Sequence, residues 1–279
     1  MSKAAFTELR QNRELIQSLV ARDLKSRYKA TALGHLWSLA NPLTIMAVYT
    51  VVFSFIMRVQ PPPGKNSGMD VYALWLLCAL LPWLYFTATV NSGTTSLVGN
   101  AHLIKKVPIS RVSLVVSNSM AGVVTWMIEM GVLLVALIIA GSKPWLYIVP
   151  VAIVMATLYL FATGISLMLS ILNVYIRDTQ HFTTILLQVW FFMTPVLYPV
   201  LLVEQRSAAT GPLWGFFTIH GIYMANPMAQ FVTAFRSLLY DNTIPPLSTI
   251  ALCTLWGIGT FTLGLWIFKR FEKRLAEEL

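Results

Sequence analysis

Six apolar runs limit what this chain can be. They occupy residues 36–57, 71–90, 112–139, 146–172, 183–201 and 247–268. Each is close to the ~20 residues that a helix needs to cross the hydrocarbon core of a bilayer. Composition agrees, since 57% of the 279 residues are hydrophobic and only 11% are charged, against about 25% charged in soluble proteins. The expected fold class is an all-α integral membrane protein with six transmembrane helices.

The charges give those spans a direction. Fifteen of the 20 Lys and Arg fall on one side of the predicted layout, among them Arg22, Lys25, Arg27, Lys29, Lys105, Lys106, Arg111, Lys269 and Arg270. Arg58, Lys65, Lys143, Arg206 and Arg236 fall on the other. Cationic loops beside membrane helices are retained in the cytoplasm, so both termini are expected inside a multi-pass plasma (inner) membrane protein. The net charge of +9 raises nucleic acid as a partner. The cations sit at the ends of apolar runs, however, with no aromatics interleaved in a basic patch, which fits a membrane surface and no nucleic acid. The first thirty residues mix Glu8, Glu14 and Asp23 with Lys and Arg and lack an apolar core with a cleavage site, so no secretory signal is expected.

Three units follow: a cytoplasmic amphipathic segment at 1–35, a transmembrane domain at 36–268 and a cytoplasmic tail at 269–279. Phe6, Leu9, Ile16, Val20 and Leu24 fall within about 80° on a helical wheel, which predicts a helix lying in the interface or packed on a partner. The connection at 91–108 is long enough for a short helix ending in Lys105 and Lys106. The longest connection, 203–246, carries Trp214, Phe216 and Phe217 and then Asn226-Pro227 before a helix-like run. It is too apolar for solvent and too broken to span, so re-entrant or interfacial helices are expected. No internal repeat is visible. Cys78 and Cys253 lie inside apolar runs without ligand spacing and read as packing residues.

The chain contains no G-x-x-x-x-G-K-[ST] phosphate loop, no H-E-x-x-H and no G-x-S-x-G, so neither ATP hydrolysis nor a hydrolase constellation is expected of it. Glu129 is the one acid deep within a span. A charge there costs roughly 2.5–3.5 kcal/mol on insertion scales, so it should face protein or water. Asn118, Gly122, Thr125 and Glu129 share about 60° of that helix; such a stripe suits interhelical hydrogen bonding, the lining of a pathway, or proton coupling. Aromatic residues gather on the second and fifth runs, including Trp83, Tyr85, Phe86, Trp190 and Tyr198. They suit an interfacial belt with core packing, or a channel wall on which sugar rings slide.

Three ordered passages carry a family likeness. Arg22-Asp23-Leu24-Lys25-x-Arg27-Tyr28 is followed by Leu33-Gly34-x-x-Trp37 and Asn41-Pro42; Asn173-x-Tyr175-x-Arg177-Asp178 by Trp190 and Thr194-Pro195-Val196-Leu197-Tyr198; and Asn226-Pro227 by Arg236. Together they resemble the type 2 ABC exporter permeases that move lipid-linked polysaccharides or polyol phosphates such as O-antigen, teichoic acid, capsule or galactan. The resemblance implies an N-terminal interface helix, six spans, re-entrant external helices before the last span, and two permease copies with two copies of a separate cytoplasmic ATPase. No cofactor is expected in this chain; the partner subunit would bind ATP and Mg. Ala101, His102, Leu103, Ile104, Lys105 and Lys106 look like the family's coupling helix, and Arg27, Lys29 and Arg111 are candidates to meet a polyprenyl pyrophosphate or, equally, anionic headgroups. The alternatives are a type 2 ABC permease for a small lipid or drug, and a membrane-embedded glycan-modifying enzyme.

Overall fold

The computed structural model describes residues 12–27, 37–58, 61–106, 110–211 and 218–272, and these hold eleven α-helices and no strand. Phe6, Leu9, Tyr28, Lys29, Leu33, Gly34, the Trp214, Phe216 and Phe217 aromatics and the tail beyond 272 lie outside the described residues. In chain order the helices are α1 (Arg13–Arg27), α2 (Trp37–Tyr49, continued as a π-helix over Thr50–Ile56), α3 (Tyr72–Gly99), α4 (Ala101–Lys106) and α5 (Arg111–Ile139). After them come α6 (Ile148–Tyr175, entered through a 3₁₀ turn at Pro144–Tyr147), α7 (Thr179–Phe192), α8 (Val200–Thr210), α9 (Ile219–Met224), α10 (Pro227–Leu239) and α11 (Leu247–Phe271).

Five helices among the described residues are long and apolar enough to cross a membrane: α2 with its π continuation, α3, α5, α6 with its entering turn, and α11. The expected fifth run, 183–201, does not form one helix. Its first part belongs to α7, whose 14 residues measure about 21 Å against a core of about 30 Å. The chain then turns through 193–199 and restarts as α8. The physical reason is in the sequence: Pro195 and Pro199 each push the residue before them out of helical backbone.

Many Ser and Thr hydroxyls inside the spans return their proton to a carbonyl one turn earlier. Thr94 donates to the Val90 oxygen at 2.7 Å and Ser166 to the Ala162 oxygen at 2.8 Å, which lets these polar side chains sit inside an apolar bundle. The bundle is centred on α6, which packs most extensively on α11 and α3. The contact with α11 is glycine-mediated and parallel. A Cβ on Gly164 would lie 2.5 Å from the Thr260 carbonyl carbon, and one on Gly257 would lie 2.5 Å from the Thr157 carbonyl oxygen. Helices this close exclude any side chain at the crossing.

The expected re-entrant element is α10. It has only 13 residues, ten of them buried, and it sits among α3, α6 and α11. Asn226 caps it by accepting from Met228 N at 3.0 Å, with Pro227 at its first position, the arrangement that satisfies an orphan donor and needs none from proline. At the other end of the bundle, α1 buries Ile16 and Leu19 and packs on α5, so the amphipathic segment is docked on the subunit itself. The connection at 91–108 is shorter than expected: α3 runs on to Gly99, and only α4 remains as a separate helix.

Candidate functional site

The basic end of the bundle is built by α1, α4 and the start of α5. Arg22 ties α1 to the end of α3, donating to Asn100 Oδ1 at 3.2 Å while pairing with Asp23 at 2.9 Å. In α4, His102, Lys105 and Lys106 are exposed, and Ile104 packs against the cluster that contains Leu97 and Val112. The helix therefore presents cations outward while one apolar side chain anchors it. Arg27 ends α1, and Lys29 lies outside the described residues. Arg111 donates to the Glu272 carbonyl oxygen, where it caps the C-terminus of α11, a favourable place for a cation.

At the distal end the non-helical stretch 193–199 forms a strap, and side chains from α3 and from α10 with its cap satisfy its carbonyls. Asn226 Nδ2 donates to the Met193 oxygen at 3.0 Å and to Thr194 Oγ1 at 3.2 Å, while Asn226 Oδ1 accepts from Trp190 Nε1 at 2.8 Å. Arg236, only 7% exposed, spreads its fork over the Pro195 and Val196 oxygens and the Trp75 oxygen, and its guanidinium lies 3.4 Å from the centre of the Trp75 ring. Tyr72 Oη donates to the Leu197 oxygen at 3.2 Å. Among the described residues no carboxylate comes within ion-pair distance of Arg236. This cation, counted with the external charges from the sequence, is inside the bundle. Its five fixed donors suit a cluster of carbonyls better than any other side chain would.

The five aromatic candidates divide between two places. Trp83, Phe86 and Trp190 form one cluster, with ring centres 6.4 Å apart for Trp83–Trp190 and 5.3 Å for Phe86–Trp190. Tyr85 faces away from it and stacks on Trp126 at 4.2 Å. Tyr198 belongs to the strap, where its hydroxyl donates to the Phe192 oxygen at 2.8 Å and meets the Tyr223 hydroxyl at 2.9 Å. Trp83, Tyr85 and Phe86 are buried within the subunit, whereas Trp190 and Tyr198 are half-buried at its surface. Below the strap, Phe86, Trp190, Ile222 and Tyr223 help to line a largely apolar cavity of 830 Å³ between α3, α6, α7 and α9.

The polar stripe on α5 also divides. Asn118 accepts from Ser92 Oγ at 2.7 Å and so links α5 to α3. Thr125 and Glu129 instead border a recess of 260 Å³ between α2, α3 and α5, which Asn41, Tyr85, Thr87, Thr89, Ser92 and Trp126 complete. The sequence reading left out Tyr72 and Ser92, and it met Asn41 only within a family passage and Trp75 only as one of the gathered aromatics. Their partners across the bundle give them roles, and no spacing along the chain announces that.

Comparison with known proteins gives the family. A family model described as "ABC-2 type transporter" matches residues 14–240. An O-antigen export system permease protein RfbA of Klebsiella pneumoniae is 29% identical over 269 residues, covering 95% of this chain and 95% of that protein. The protein of the same name from Myxococcus xanthus is 28% identical over 278 residues, 98% of each. The polysialic acid transport protein KpsM of Escherichia coli is 17% identical over 261 residues, 93% of this chain and 94% of that one.

Proposed function

Because this chain belongs to the ABC-2 type transporter family, we propose that it is the permease half of an exporter that carries a polyprenyl-pyrophosphate-linked polysaccharide, or a related polyol phosphate, out of the cytoplasm. The observation that carries this reading is the full-length likeness to O-antigen export permeases, 95% and 98% of the chain in two of them. Two copies face each other around the path, and two copies of a separate ATPase supply the energy, binding the ATP and Mg for which this chain has no phosphate loop. The basic end is cytoplasmic.

The parts then have distinct tasks. α1 and α4 receive the ATPase, with His102, Lys105 and Lys106 outward. Arg27, Lys29 and Arg111 border the approach of the pyrophosphate; the contact of Arg111 with Glu272 leaves it further donors. The path runs along the faces that the subunit does not cover. Only 6% of the apolar window of α2 is buried, and α7 exposes Phe182, Ile185, Leu186 and Val189. Trp190 and Tyr198 edge that wall, while Trp83, Tyr85 and Phe86 brace it from behind.

A genetic test is direct. Loss of the chain should leave lipid-linked glycan inside the cell and strip it from the surface. The wild-type chain should restore export, and a chain with Lys105→Glu and Lys106→Glu should not, although it assembles. A second reading, export of a small lipid or drug, is favoured by the 830 Å³ apolar cavity. It predicts normal surface glycan in the deletion strain.

A further inference from the structure

The recess between α2, α3 and α5 lies at mid-depth, since Glu129 is ten residues, about 15 Å, from the end of α5 at Ile139. Among the described residues its carboxyl group makes no hydrogen bond and no ion pair, and it is half-buried. Interhelical bonding is the task of Asn118 instead. A carboxyl at this depth without a protein partner needs one of another kind, because lipid offers none. Behind it, the Thr125 hydroxyl and the indole N–H of Trp126 are buried and unpartnered. Gly122 keeps the recess open, for a Cβ there would stand 3.2 Å from Thr89 Oγ1.

The chemistry of the wall selects an occupant. A carboxyl accepts when ionised, and the Asn41 amide both donates and accepts. A metal ion finds no group of three ligating side chains among the described residues. An anion finds no cationic side chain on this wall. A hydroxyl group donates and accepts at once, and several of them on a ring match a mixed wall. At 260 Å³ the recess has room for about nine waters at ~30 Å³ each, or for one such ring. It is walled on one side by α2, the least covered of the five candidate spans among the described residues.

We propose that this recess is a subsite for one hydroxyl-bearing sugar ring of the translocated glycan, held by Glu129 and Asn41. The proposal rests on the exporter reading for the identity of the ring. The site lies between the basic end and the strap, so a ring bound there is part-way across.

The test uses the complete permease with its ATPase in lipid vesicles. Dicyclohexylcarbodiimide, an apolar reagent for protonated carboxyl groups, should modify Glu129, as located by peptide mass spectrometry; the Glu129→Gln protein supplies the blank. Lipid-linked glycan at about ten times its dissociation constant should slow that modification about tenfold, as the free fraction of sites falls. Polyprenyl phosphate without sugar should leave it unchanged. Three results would overturn the subsite: no modification of Glu129, which means a closed recess; equal protection by the bare lipid, which means a lipid tail; and no protection by glycan, which means water alone. ATP-driven export of the same glycan, measured in the same vesicles, scores the exporter reading separately.

Discussion

At the scale of single residues, the strap shows why an arginine and an asparagine are placed where the chain turns at membrane depth. Each carbonyl left open by the bend at 193–199 would cost about 1–3 kcal/mol if unpaired, and Arg236 and Asn226 meet four of the acceptors between them. Arg236→Lys keeps the charge but loses the fork, so the detergent-solubilised protein should unfold several degrees earlier, with a loss of about 2 kcal/mol or more. Asn226→Asp keeps the acceptor for Trp190 and Met228 but removes both donor contacts. It should therefore fall between wild type and Asn226→Ala, which also loses a helix cap of about 1 kcal/mol. Equal melting of all three proteins would show that the strap does not depend on these side chains. The residues of this network were visible in the sequence only as fragments of a family pattern. Trp190, Thr194, Pro195, Asn226 and Arg236 are far apart along the chain, and hydropathy assigns Arg236 to an external loop because it cannot see the carbonyls that surround it.

At the scale of elements, two contacts do different work. The α6–α11 crossing is closed to side chains, so Gly164→Ala and Gly257→Ala should each destabilise the bundle by about 1–3 kcal/mol through overpacking. Gly99 and Gly259 have open space around a built Cβ, and substitution there should change little; a thermal-melt series over the four positions checks both statements. By contrast α4 contributes little to the core, since none of its residues is fully buried. Charge reversal at Lys105 and Lys106 should thus leave melting within about 0.5 kcal/mol of wild type while export falls. Five helices long and apolar enough to span and the short α10 follow from run length and from Asn226-Pro227, and all were readable. The broken fifth run was misread because apolar composition continues through the bend. Pro195 and Pro199 marked the break, but helices in membranes tolerate proline, as α2 does at Pro42 and α3 at Pro82, so proline alone does not decide.

At the scale of the whole molecule, the chain is asymmetric from end to end: cations and short helices at one end, a hydrogen-bonded strap at the other, and between them a polar recess and an apolar cavity in one subunit. A single subunit with α2 so thinly covered does not enclose a path for a hydrated polymer, whereas a second copy related by a twofold would supply the opposite wall. Trp190→Leu or Tyr198→Leu should shorten the surface glycan rather than abolish it, because each ring contributes on the order of 1 kcal/mol to a sliding contact; gel profiles of surface glycan report chain length. The aromatic content of α3 and α7 was legible in the sequence, but not which rings face outward, since burial depends on how the two helices rotate against each other. The most direct measurement of the central claim is transfer of lipid-linked glycan into sealed vesicles holding the purified chain and its ATPase. The account predicts transfer and ATP hydrolysis only when both subunits and ATP are present, and neither with the chain alone. Sustained hydrolysis by the pure chain, or an active complex that moves a small lipid while leaving the glycan outside, would contradict it.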